Sequence, residues 1–299
     1  MLDDTVLHIL ANFYLGEVHH SLGNYRTAVD FLRRNVALTS GEAVYERHAG
    51  PGLVPVQSRF WLAFALAALG EYREAFDIAT AAHDVARAVQ HPYSFAFASY
   101  AVGRLQFARG AMPEALEALE RARELVESRE IVQIRPVVNA WLGCARTLAG
   151  RPADGIPLIQ AAVDRAGAVG GLGRGPISAR LAEAFRAVGR LHEALGTATR
   201  AVELARRQDE RGNEAAALLL VADICADLDG SSRETVEQRY AEARELGGEL
   251  SMRPVVAGCH LGLGRFLQRI GENSLGGEQL ATAARLFGEM RVDAQARPM

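Results

Sequence analysis

A glycine-centred turn recurs seven times along the chain, at Gly23, Gly70, Gly110, Gly150, Gly189, Gly230 and Gly271. Successive spacings are 47, 40, 40, 39, 41 and 41 residues. Each turn separates two apolar, helix-periodic segments. A period near 40 with two helices per unit specifies a helical solenoid, in which a unit buries its apolar face only against its neighbours. Pro55, Pro92, Pro136, Pro176 and Pro254 each stand just ahead of the first apolar run of a unit. Proline suits the first helical turn, where its missing N–H has no intrahelical partner to lose. In the sixth unit Gly212-Asn213-Glu214 takes that place.

These signals predict first (A) helices near 4–22, 55–69, 92–109, 136–149, 176–188, 212–228 and 254–270. The second (B) helices fall near 25–39, 72–89, 112–128, 152–167, 191–208, 232–247 and 273–290. The whole chain, 1–299, then reads as one all-α solenoid with units at about 4–39, 55–89, 92–128, 136–167, 176–208, 212–247 and 254–290. Residues 40–55 form the longest predicted loop, the glycine-rich stretch 167–176 a mobile one, and 228–232 a short polar break.

Composition excludes several functions. The formal net charge of -3 leaves no basic footprint for nucleic acid or an anionic membrane. No apolar run approaches the roughly 18 residues of a membrane span. The start, Met1-Leu2-Asp3-Asp4, is acidic where a signal peptide is basic. Cys144, Cys225 and Cys259 are dispersed in apolar helical phrases and read as buried, reduced thiols. Together these point to a cytoplasmic protein. All 33 basic residues are arginine. Without lysine there is no phosphate-loop Lys, no kinase strand Lys and no Schiff base.

Local motifs yield no catalytic constellation. His192-Glu193-Ala194-Leu195-Gly196 begins like a zinc-protease motif but has Gly where the second His is required. His8, His19 and His20 share one helix with no carboxylate or Cys at ligand spacing. Cys259 and His260 diverge as helical neighbours. Gly171-Leu172-Gly173-Arg174-Gly175 lacks both the dinucleotide-binding order and a preceding strand. The expectation is a non-enzyme with no metal or cofactor.

Small residues follow a register of their own. Leu62-Ala63 precedes Ala75 and Ala82; Val102-Gly103 precedes Ala115 and Ala122; Leu142-Gly143 precedes Gly155 and Ala162; Leu263-Gly264 precedes Gly276 and Ala283. Glycine within a helix costs about 1 kcal/mol relative to alanine. Gly16, Gly103, Gly143 and Gly264 therefore imply close A–B helix contacts that offset the cost.

This register resembles the tetratricopeptide (TPR) repeat, with longer helices and linkers. The resemblance implies a right-handed α-α superhelix whose A helices line a concave groove. The sixth unit departs from it, with Val236 at a small-residue position. Phrases such as His91-Pro92-Tyr93-Ser94, Phe31–Val36 and Met252-Arg253-Pro254-Val255-Val256-Ala257-Gly258-Cys259-His260-Leu261-Gly262-Leu263-Gly264 are similar to the C-terminal TPR region of bacterial signalling proteins that carry cyclase and AAA-type ATPase domains. That implies a regulatory role and no catalytic residue.

Transferred to this chain, the groove positions are Glu17 and His20; Phe60 and Phe64; Phe97, Tyr100, Arg104 and Phe107; Glu183 and Arg186; Asp223 and Asp227; Arg265 and Arg269. The aromatics of units two and three read either as groove or as core. Arg104 is expected to lay its stem on them with an exposed guanidinium. Asp223 and Asp227, four apart, form a solvated acidic face or a receptor for a partner's arginine. Two functions follow: a protein- or peptide-binding regulatory scaffold, or a metabolite sensor if Phe60, Phe64, Phe97 and Phe107 enclose an apolar pocket. Phe13 and Leu15 at one end, and Leu280, Ala283, Leu286 and Phe287 at the other, predict uncapped apolar ends that support self-association or belong to a longer chain.

Overall fold

A computed structural model describes residues 4–45, 52–169 and 173–292. The described residues form fourteen α-helices and one short 3-10 helix, Gly41–Tyr45. The A helices are α1 (Asp4–Ser21), α3 (Val54–Ala68), α5 (Pro92–Ala108), α7 (Arg135–Leu148), α9 (Arg174–Ala187), α11 (Arg211–Asp227) and α13 (Arg253–Arg269). The B helices are α2 (Tyr25–Leu38), α4 (Tyr72–Val89), α6 (Met112–Ser128), α8 (Pro152–Val169), α10 (Leu191–Arg207), α12 (Arg233–Glu249) and α14 (Asn273–Met290). The all-α, TPR-like superhelix read from the sequence is the fold observed.

The seven turn glycines all adopt left-handed backbone, with φ between 76° and 90°. An L side chain is strained there, which fixes glycine at the A–B corner. Six of these turns span three residues, whereas the sixth, 228–232, spans five. In it Ser232 caps α12, its hydroxyl accepting from the Thr235 amide at 3.1 Å. The B–A junctions also pass through left-handed backbone, at Gln90, Glu130, Asp209 and Ser251. Nothing in those residue types announces it. The predicted loop 167–176 is shorter than expected: α8 runs to Val169 and α9 begins at Arg174. The remaining centre of the glycine-rich stretch, 170–172, and residues 46–51 lie outside the described residues, and with them the expectation of a mobile loop.

Helices A and B touch through their small residues. A Cβ on Gly143 would stand 2.6 Å from the Gly155 carbonyl oxygen, and one on Gly103 would stand 2.6 Å from Leu119 Cγ. The B helices bury one small stripe, such as Ala75, Ala79, Ala82 and Ala86 in α4. The A helices form the inner layer; in α3 every residue but Trp61 is buried. Cys144, Cys225 and Cys259 are buried and, among the described residues, form no disulfide; the Cys144 thiol donates to the Glu183 carboxylate at 3.5 Å.

The superhelix returns toward itself after five units and touches at a few residues. The turn of unit one meets the start of unit six: Gly23 lies against Gly212, Arg211 and Leu250, and the Tyr25 ring packs on Gly212. The turn of unit two meets the start of unit seven. Arg253 donates to the Leu69 carbonyl at 2.8 Å and to Glu71 at 2.7 Å, while Met290 covers Gly70.

The two ends differ. On α1, Leu7, Tyr14, Leu15 and Val18 are 42–52% exposed, as an uncapped end requires, although Phe13 is buried. The last helix corrects the expectation for the other end. On α14, Ala283 and Phe287 are buried and Leu280 and Leu286 half-buried, while the exposed positions mix Glu278, Arg285 and Glu289 with Leu275, Ala281 and Ala284. The four apolar residues named for this end are thus covered rather than exposed, and charged residues stand among the outward ones.

Candidate functional site

The inward face begins as an aromatic stack. Phe60, Phe64 and Phe107 are at most 1% exposed, Tyr100 is 4% and Phe97 is 8%. Their rings touch in sequence: Phe60–Phe97 at 5.0 Å, Phe97–Tyr100 at 5.9 Å and Phe64–Tyr100 at 6.3 Å between centroids. Of the two readings open in the sequence, these residues take the core one. None of them lines the cavity described below.

Arg104 departs from the expected arrangement. Its guanidinium carbon, rather than only its stem, sits over the rings, 4.1 Å from Phe64 and 4.7 Å from Trp141. Its nearest polar partner is the Tyr100 hydroxyl at 3.3 Å. Arg180 lies 4.6 Å from the same Trp141 ring. Trp141 thus contacts two guanidiniums, each gaining from the ring quadrupole. Sequence reasoning missed Trp141. It occupies in α7 the register position that Arg180 occupies one period on, two residues before the small A-helix residue, and one turn from the level of Arg104; that register was the available signal. His20 lies 4.9 Å from Trp61 and 5.3 Å from Tyr25. Burial first, then Arg104, pushes its pKa down to about 3, so its imidazole is neutral. Glu17, one helical turn earlier, is half-buried, and burial raises its pKa.

Beyond Trp141 the face turns ionic. Arg180 and Glu183 of α9 pair at 2.8 Å and both are buried. Arg186, on the same helix face, donates from Nη1 to Asp223 at 2.9 Å and from Nε to Asp227 at 2.7 Å. The arginine received by the acidic pair therefore comes from within the chain, not from a partner. Tyr240 donates its hydroxyl to the other oxygen of Asp223 at 2.8 Å. Arg269 approaches Asp227 at 3.7 Å and also donates to the Ala226 carbonyl. Burial pulls the Arg186 pKa down, but the two aspartates outweigh it and hold the guanidinium above its ordinary value. Burial pushes the Asp223 carboxyl up, against the opposing pull of Arg186 and the Tyr240 hydrogen bond.

These groups line a cavity of about 560 Å³ bounded mainly by α9, α11 and α13, with Arg265 exposed at its edge. Such a volume suits a small molecule or a few residues of peptide. Gly262 on α13 makes the Asp223–Tyr240 bond fit: a Cβ there would stand 2.7 Å from Asp223 Oδ1 and closer still to the tyrosine hydroxyl. Of the predicted groove residues, Arg186, Asp223, Asp227, Glu183, Arg265 and Arg269 come together around the cavity. The aromatics and Arg104 do not join them there.

The superhelix is similar to that of the Rap regulators. The Rap conjugation gene regulator of plasmid pLS20, in complex with the Phr* peptide, matches with a TM-score of 0.72 at 15% identity, over 96% of this chain and 76% of that one. A Rap protein complexed with Competence and Sporulation Factor matches with a TM-score of 0.69 at 15% identity, over 95% and 77%. The apo form of RapI matches with a TM-score of 0.62 at 11% identity, over 95% and 98%. At these identities the likeness is one of fold. No protein-family model matches the chain, and no curated protein sequence does. Among the described residues no helix is long and apolar enough to cross a membrane.

Proposed function

We propose that this chain is a non-catalytic regulatory module that binds a short peptide inside its superhelix, as part of a bacterial signalling system. The observation that carries the reading is the polar-rimmed cavity between α9, α11 and α13. It sits on the concave side, and backbone and side-chain groups of a peptide would meet both signs of charge there. The aromatic residues that would have formed an apolar metabolite pocket are packed against one another instead, which favours the peptide over the metabolite. The binding of the Phr* peptide by the similar plasmid regulator supports the same reading. The Met252–Gly264 phrase further supports a setting in a larger cyclase–ATPase signalling protein, checked by whether the reading frame continues into such domains. The exposed apolar stripe of α1 supports self-association through that end alone, checked by light scattering across a broad concentration range.

Selection of random short peptides on the immobilised chain tests the main reading. Peptides should be retained, and Arg186→Ala should abolish their retention. If no peptide is retained while a metabolite panel raises the melting temperature, the metabolite reading replaces this one.

A further inference from the structure

We infer that the cavity receives the carboxylate of its peptide ligand, a free C-terminus or an acidic side chain, on Arg265. The inference rests on the peptide-binding reading and adds a polarity to it. Four guanidiniums line the cavity, those of Arg180, Arg186, Arg265 and Arg269, against three carboxylates, those of Glu183, Asp223 and Asp227. The chain as a whole carries a net charge of -3, so this local excess of positive charge runs against the background.

The pairing pattern says which charge is left over. Glu183 faces Arg180 at 2.8 Å. Asp223 is held by Arg186 and by the Tyr240 hydroxyl, and Asp227 by Arg186 and Arg269. Each lining carboxylate is thus engaged, and a cationic ligand group would have to displace an arginine to reach one. Among the described residues Arg265 alone of the four lining guanidiniums makes no ion pair. It stands on the cavity face of α13, three residues after Gly262 and four before Arg269, and it is exposed. A carboxylate would therefore meet a guanidinium free to bind it in bidentate fashion, with nothing to expel but water. Arg186 and Arg269, fixed by their aspartates, add attraction behind it.

Affinity selection with two pools of random short peptides tests this on the full chain. One pool has free C-termini and includes Asp and Glu; the other is C-amidated, with Asn and Gln in their place. The acid pool should be retained about tenfold more strongly than the neutral one, the advantage expected of one bidentate charge-assisted contact. Arg265→Gln should remove that advantage without changing the melting temperature, since the side chain is exposed. Arg265→Glu should reverse it, retaining a pool that carries Lys instead. Equal retention of acid and neutral pools, or undiminished acid retention by Arg265→Gln, overturns the inference and leaves peptide binding standing. Retention of neither pool removes both.

Discussion

In units two to four the inward face of the superhelix is filled, with Phe60, Phe64, Phe97, Tyr100 and Phe107 buried and the Arg104 guanidinium laid on rings. In units five to seven the same A-helix levels carry Glu183, Arg186, Asp223, Asp227, Arg265 and Arg269, and a cavity remains. The repeat geometry is shared; the chemistry of the inward side chains differs. Aromatic rings gain by excluding water from one another, so they close the axis. Charged groups keep stability only while each has a partner or water, so they pair across one period and leave space beside the pairs. One scaffold thereby holds a solid half and a hollow half.

The largest expected effect breaks the solid half. Phe64→Ala removes a fully buried ring and the platform under Arg104, and should cost about 3–5 kcal/mol in denaturant unfolding. A loss below about 1 kcal/mol would mean that this half is not the packed one. Next come the A–B contacts, which both halves share. Gly143→Leu should destabilise by about 1–3 kcal/mol or more, and Gly264→Leu by a similar amount. Unequal losses would show that the inward faces alter the repeat itself. In the hollow half, Arg186→Ala strands two partly buried carboxylates and should cost about 1–2 kcal/mol. Asp223→Asn combined with it should cost less than the sum, as a double-mutant cycle would read.

Smaller effects serve as controls. Gln90→Gly and Ser251→Gly each relieve a left-handed residue, one in each half, and should each stabilise by about 0.5–1 kcal/mol. Acid gives the last comparison. His20 titrates at about 3 in the fold against an ordinary 6.5, so below 6.5 the unfolded chain binds the extra proton. Stability should therefore be full above that pH and fall as the pH drops toward about 3. His20→Phe should flatten that slope in pH-dependent thermal unfolding.

The sequence carried the helices to within a residue or two because left-handed corners demand glycine and first turns tolerate proline, both local requirements. It carried the cavity in part. Asp223 and Asp227 lie 37 and 41 residues beyond Arg186, one period on, where the repeat makes residues face each other; that signal was present and unused. The core placement of the aromatics was not legible. It depends on how tightly the superhelix winds, which brings together residues as distant as Arg253 and Glu71, 182 apart. Nor were the left-handed junctions at Gln90, Glu130, Asp209 and Ser251, since none of the four is glycine.

Those same contacts change what kind of folding unit this is. An open repeat array behaves as a one-dimensional chain of neighbours, able to fray from either end and to tolerate the loss of a terminal unit. Here Met290 on Gly70 and Leu250 on Gly23 tie the last units to the first. Melting should be more cooperative than in an open array. Removing α14 should be felt in unit two rather than only in its neighbour, and closure should come late in folding, after the local helix pairs have formed.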